Sequence, residues 1–148
     1  MTINNDREFK AALSILPVDR QRQVGARFAE SVLMLSNDAR VKHAIEAAKR
    51  TEISHDELEI AYKSAKRASV DSFAKCGKEC DWNRQAGHFV AQAALACIKP
   101  GNKAAWESAM HARLARTSES IATGIGTDNA ESAVQYRILE NYLAGEKA

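Results

Sequence analysis

The chain has 148 residues, of which 45% are hydrophobic and 27% are charged, as expected for a folded globular domain and not for a disordered or fibrous chain. Lysine and arginine outnumber aspartate and glutamate by only 21 to 19, and the basic residues are spread along the chain, so no nucleic-acid partner is expected. No apolar run approaches the roughly 20 residues that a bilayer crossing needs, so no membrane span is expected.

The N-terminal residues and the cysteines predict a cytoplasmic protein. Asp6, Arg7 and Glu8 lie where a secretory signal would carry a basic segment followed by an apolar one. The three cysteines are an odd number, which fits free thiols in a reducing compartment better than a disulfide framework. No cofactor is predicted.

Helical spacing of the apolar residues predicts three helices in the first third of the chain. The first runs from Asp6 to Leu16 and stops at Pro17, and the second covers residues 19–35. Ser36-Asn37-Asp38 supplies the cap of a third helix, which ends near Arg50.

Cap and break residues delimit four more helices. A capping box, Ser54-x-x-Glu57, begins the fourth helix, which Gly77 ends. Asp81 caps the fifth, which stops at Pro100-Gly101. Asn102 is the expected cap of the sixth, and Asp128-x-x-Glu131 has the capping-box spacing for a seventh that frays at Gly145.

The whole pattern predicts an all-α fold. No segment alternates apolar and polar residues convincingly, and no repeat or sustained heptad is present. No linker divides the chain. We therefore expect residues 1–148 to form one domain, an irregular bundle of six to seven helices.

Cys76 and Cys80 are candidate metal ligands. Their spacing differs from the Cys-x-x-Cys of redox proteins, and Cys76 falls at a helix C-terminus, where the helix dipole opposes thiolate formation. The other zinc ligands would have to come from His88, His111 or Cys97. Packing of free thiols inside the fold is the preferred interpretation.

His88 and His111 are a second candidate pair. If the fifth and sixth helices are antiparallel about Pro100-Gly101, the two imidazoles lie within about one helical turn of each other. Glu107 and Gln92 each stand four residues from one of them on the same helical face. This arrangement predicts a metal or acid/base site, with structural histidines as the alternative.

Arg113 is predicted on the inner face of the sixth helix, where a guanidinium must be paired. A structural ion pair is the expected outcome. The functional alternative is an anion pocket shared with Arg116. The candidate carboxylates are Glu131, Glu119 and Asp81.

Three segments, Cys76–Trp82, Trp106–Arg113 and Gln135–Leu139, are similar to those of small all-helical bacterial proteins without an assigned activity. The resemblance implies a helical fold. It implies no reaction and transfers no site residue.

Two functions follow as hypotheses. The preferred one is a non-catalytic accessory or interaction module of a bacterial cytoplasm, which binds another protein or a second copy of itself. The alternative is a small-ligand or metal site between the fifth and sixth helices. Its ligand-binding residues would be His88, His111, Glu107 and Arg113.

Overall fold

The computed structural model describes residues 2–76, 81–99 and 101–147, without the side chains of residues 75, 76, 146 and 147. This described part has seven α-helices and no strand, which confirms the predicted all-α bundle. None of these helices is both long and apolar enough to cross a membrane. The helices are α1 (Asp6–Ser14), α2 (Val18–Glu30), α3 (Ala39–Lys49), α4 (His55–Cys76), α5 (Trp82–Ile98), α6 (Ala104–Ala122) and α7 (Glu131–Lys147), with a 3-10 turn at Leu33–Leu35.

Helix α5 is the centre of the bundle and packs against α2, α3, α4 and α6. Its buried side chains are mostly alanine, and small side chains let helix axes approach closely. One close approach is at Gly25 of α2, where an added Cβ would lie 3.0 Å from Cys97 Cβ and 3.5 Å from Ser108 Cβ. The Ser108 hydroxyl also hydrogen-bonds to the Gly25 carbonyl at 2.9 Å. Helices α2, α5 and α6 are therefore in close contact at this point.

A second core, with an aromatic centre, joins α1 and α7 to α2 and α6. The ring of Phe9 lies 5.4 Å from that of Phe28, 5.3 Å from that of Tyr136 and 6.1 Å from that of Trp106, in tilted arrangements that aromatic pairs favour. The short helix α1 is thus held by its aromatic side chain, since nine residues would not form a stable helix alone.

Several predicted helix ends are confirmed and others are wrong. Asp38, Ser54 and Asp81 each accept a backbone N–H in the first turn of the predicted helix. The second helix was expected to reach Leu35 but ends at Glu30. It ends there because the Ser31 carbonyl accepts a hydrogen bond from the Arg116 guanidinium, while Leu35 N–H turns to the Val32 carbonyl.

The caps of the last two helices come from residues other than those predicted. Lys103, and not Asn102, holds the N-cap position of α6 without a side-chain bond. The amide oxygen of Gln21, on α2, accepts the Ala105 N–H at 3.2 Å instead. At the start of α7 the side chain of Asn129 accepts the Glu131 N–H at 3.1 Å. The predicted cap was the neighbouring residue, Asp128. Tertiary contacts therefore satisfy a helix end that the local sequence leaves open.

Candidate functional site

His88 is buried on α5, and both of its ring nitrogens are hydrogen-bonded. Ser72 Oγ lies 2.7 Å from Nδ1 and donates to the Ser69 carbonyl at 2.9 Å, which fits Nδ1 as the donor to the hydroxyl. The side-chain amide nitrogen of Gln92 lies 3.0 Å from Nε2, which accepts its proton. These uncharged hydrogen-bond partners favour a neutral imidazole for His88.

The electrostatics of His88 agree with this assignment. Burial lowers the pKa of His88 below the ordinary value of 6.5, although the nearby Ser69 carbonyl opposes the shift. The rings of Phe73 and Phe89 lie 5.7 and 5.9 Å from the imidazole and add to its apolar surroundings. A metal ion could bind Nε2 only by displacing Gln92.

His111, on α6, lies within electrostatic reach of His88. Burial lowers the pKa of His111, the carboxylate of Glu107 opposes that shift, and the His88 imidazole adds to it. Its Nδ1 is buried and has no hydrogen-bond partner in the described part of the chain. Glu107 itself is exposed on the surface. The structure thus brings His88, His111 and Glu107 into one neighbourhood, and a ligand-binding role for them stays a prediction.

Arg113 lies on another side of α6 from the histidines. Two positions along a helix correspond to a rotation of about 200°, so Arg113 points away from His111 and toward α1 and α7. Its guanidinium makes two hydrogen bonds to Asp6, of 2.8 and 2.9 Å, and Nε donates to the amide oxygen of Gln135 at 2.8 Å. The carboxylate partner is therefore Asp6, which the sequence analysis did not consider.

Arg116 is held in a second ion-pair network. It binds Glu131 at 3.0 Å and Glu119 at 2.9 Å, and it donates to the Ser31 carbonyl at 3.1 Å. Ser31 Oγ also donates to the other oxygen of Glu131 at 2.7 Å. The two guanidiniums of the hypothetical anion pocket, Arg113 and Arg116, are both bound to carboxylates of the chain.

The structure does not describe the positions of the candidate ligands Cys76 Sγ and Cys80 Sγ. The Cys76 side chain and the whole of Cys80 lie outside the described residues. Cys97 is a buried free thiol whose pKa burial raises to about 12, and it donates to the Ala94 carbonyl at 3.0 Å. Within the described ranges no group of three or more His, Cys, Asp or Glu side chains could hold a metal ion.

A cleft of about 620 Å³ opens where the N-terminal ends of α3 and α5, the C-terminal part of α4 and the 3-10 turn meet. Its wall carries Arg40, which pairs with Asp38 and with Asp71 at 2.8 Å each. These two carboxylates raise the pKa of Arg40. Four separate elements build the cleft, so no single motif could have predicted it. Its apolar lining comprises Leu35, Val41, Ala68 and Ala91, and its polar lining includes Ser72, Arg84 and His88.

The outward side of α4 combines exposed aliphatic and basic side chains; we name it the α4 face and define it by Ile60, Lys63, Lys66, Arg67 and Val70. Ile60 is 64% exposed and Val70 is 58% exposed. Lys63 pairs with Glu59 at 3.4 Å, and the other two basic residues are exposed. The sequence predicts only a solvated helix face for Lys63, Lys66 and Arg67, because the side of α4 that the bundle leaves uncovered depends on packing.

Comparisons with protein-family models, with curated proteins and with solved structures found no match to this chain.

Proposed function

We propose that the protein is a non-catalytic interaction module of the bacterial cytoplasm that binds an acidic surface of another protein through the α4 face. The observation that carries the proposal is the exposure of Ile60 and Val70 among basic side chains on one helix. Single exposed apolar residues are common on protein surfaces, and the proposal rests on two of them sharing one helix face with three basic side chains.

The apolar part of the α4 face offers binding energy. Ile60 and Val70 are ten positions apart on one straight helix, a span of about 15 Å. Covering an exposed aliphatic side chain that is already partly shielded by its own helix would contribute on the order of 1 kcal/mol, from roughly 25 cal/mol per Å² of apolar area. Two such anchors are enough for a weak, reversible contact but not for an obligate one.

The charge of the α4 face selects the chemistry of the partner. Lys66 and Arg67 are exposed, and among the described residues neither has an ion-pair partner on its own chain. A partner surface with Asp or Glu side chains would pair with them and would associate faster through electrostatic steering. A second copy of this basic face would be repelled, so we expect a different protein and not a symmetric dimer through α4.

The polar interior supports a non-catalytic role. Arg113, Arg116 and Glu131 are all held in ion pairs that join helices. Ser72 donates to a backbone carbonyl, and His88 is neutral with both ring nitrogens bonded. The hydrogen bonds and ion pairs of these groups offset the cost of burying them, so their burial is explained by a structural role.

Photo-crosslinking tests the proposal. A photoreactive amino acid would replace Ile60 or, separately, Val70 in cells, and Ile125 in the α6–α7 loop, which is 72% exposed, would serve as the matched control position. We expect one discrete adduct from both α4 positions, with a partner that has an acidic surface, and none from the loop. No adduct from α4, an adduct with a second copy of the chain, or equal yields at Ile125 would overturn the proposal.

Charge reversal then tests the electrostatic part with the purified partner. Lys66→Glu combined with Arg67→Glu should weaken binding about tenfold or more, equivalent to about 1.4 kcal/mol, and the loss should shrink as salt is raised. The control, Arg7→Glu with Lys103→Glu, changes the net charge equally at exposed positions away from α4. An equal loss in both double variants would contradict a contact at α4.

The alternative function, a metal or small-ligand site between α5 and α6, is favoured by one observation. Among the described residues His111 Nδ1, near His88, is buried without a hydrogen-bond partner, and an uncompensated buried ring nitrogen is a place where a ligand or a metal could bind. Arg113 takes no part in this version of the site, because it is bound to Asp6.

A further inference from the structure

The cleft at the α3, α4 and α5 end carries a second, independent inference. Its volume of about 620 Å³ is within the range of small-molecule sites, roughly 300–1,000 Å³. Such sites combine an apolar floor with a few convergent polar groups. The floor here consists of Leu35, Val41, Ala68 and Ala91, together with the neutral imidazole of His88.

The charges of the cleft are divided between its walls. The guanidinium of Arg40 already donates hydrogen bonds to Asp38 and Asp71, so it is less available to a ligand. Asp71 uses only Oδ2 in that pair, and Oδ1 has no partner among the described residues. On the α5 side the Asp81 carboxylate accepts the Arg84 N–H at 2.8 Å, while the guanidinium of Arg84 is exposed and has no ion-pair partner in the described part of the chain.

We infer that the cleft binds a small zwitterion, namely a free α-amino acid with an apolar side chain. Its carboxylate would pair with Arg84, its ammonium group with Asp71 Oδ1, and its side chain would cover the apolar floor. A ligand with only a carboxylate would be repelled by Asp71 and Asp81, and one with only an ammonium group would leave Arg84 unpaired. The two opposite charges on one cleft therefore favour a ligand that carries both.

The inference does not depend on the α4 face. Lys66 and Arg67 do not line the cleft, so the two proposals can fail separately.

Thermal unfolding of the full chain with added ligand is the first test. The probes are L-valine, L-leucine, L-isoleucine, L-methionine and L-phenylalanine, each compared with its N-acetyl and its carboxamide derivative. We expect at least one free amino acid to raise Tm, and both blocked derivatives of that amino acid to have no effect. No shift with any of the five, or equal shifts with the blocked forms, would overturn the inference.

Calorimetric titration of variants with the amino acid that binds is the second test. Arg84→Gln should weaken binding about tenfold or more, as the loss of a charge-assisted contact predicts, and Asp71→Asn should do the same. The matched controls are Arg67→Gln and Asp128→Asn, at exposed positions outside the cleft. If Asp71→Asn unfolds the chain, Arg84→Gln decides the outcome alone, because its side chain has no structural partner within the described residues. Unchanged affinity in Arg84→Gln would contradict the inference.

Discussion

Asp6 and Arg113 form an ion pair with two hydrogen bonds, of 2.8 and 2.9 Å, across 107 positions of the sequence. The pair ties the short first helix to α6, and Tyr136 adds a hydrogen bond from α7 to the same carboxylate at 2.7 Å. Arg113 thus connects α6 to both α1 and α7 through hydrogen bonds.

Replacing Asp6 by Ala should lower the free energy of unfolding by about 1 kcal/mol, well below the cost of breaking a fully buried pair, because the Asp6 side chain is 50% exposed and solvent screens it. Chemical denaturation would measure the loss, with the exposed Asp128→Ala as control. Equal effects of the two substitutions would show that the pair contributes nothing measurable.

The Arg116 network offers a sharper comparison, because its two carboxylates differ in burial. The Glu131 side chain is 1% exposed and that of Glu119 is 33% exposed, and both bind the same guanidinium. Glu131→Gln should cost about 3 kcal/mol, since it weakens a buried pair, whereas Glu119→Gln should cost under about 1 kcal/mol. Similar losses in the two variants, measured by urea unfolding, would contradict the assigned burial.

Two glycines test the packing of the bundle. Gly25→Ala should destabilise by about 1–3 kcal/mol, because the new methyl group would lie 3.0 Å from Cys97 Cβ and 3.4 Å from Ala105 Cα. Gly145→Ala, on α7 with open space around it, should be neutral or stabilise by up to about 1 kcal/mol. Thermal unfolding should show a lowered Tm for Gly25→Ala and an unchanged or raised Tm for Gly145→Ala if α2, α5 and α6 approach as closely as described.

The histidines predict a pH dependence with a definite sign. Burial lowers the folded-state pKa of both His88 and His111 from 6.5, so the unfolded chain binds protons more readily below that pH. Stability is therefore fully present above about pH 6.5 and falls as the pH drops toward the folded values, by up to about 1.4 kcal/mol per pH unit for each histidine. His88→Gln should flatten this slope, whereas His43→Gln, at an exposed position, should leave it unchanged. Identical slopes in both variants would contradict the burial of His88.

Local chemistry made part of the fold predictable. Ser54 and Asp81 cap the first turns that follow them, so a few adjacent residues were enough to predict where α4 and α5 begin. Gln21 caps α6 from 84 positions away, and Ser31 meets Glu131 across 100 positions. Such contacts exist only after the helices pack, so local sequence patterns cannot predict them.

The candidate sites divide in the same way. An antiparallel arrangement of α5 and α6 about the turn between them was enough to predict that His88 and His111 lie near each other. The partner of Arg113 was missed, because Asp6 belongs to a helix that touches α6 only in the folded bundle. The cleft beside His88 and the uncovered side of α4 likewise follow from packing and not from a motif.

The central claim is that the ionisable groups inside the bundle stabilise the fold and bind no metal. Elemental analysis of protein purified under reducing conditions without chelator tests it most directly, beside the double variant His88→Ala with His111→Ala. We predict no stoichiometric metal in either protein, because Ser72 and Gln92 occupy both ring nitrogens of His88. Stoichiometric zinc or iron that the double variant loses would contradict the claim and establish a metal site between α5 and α6.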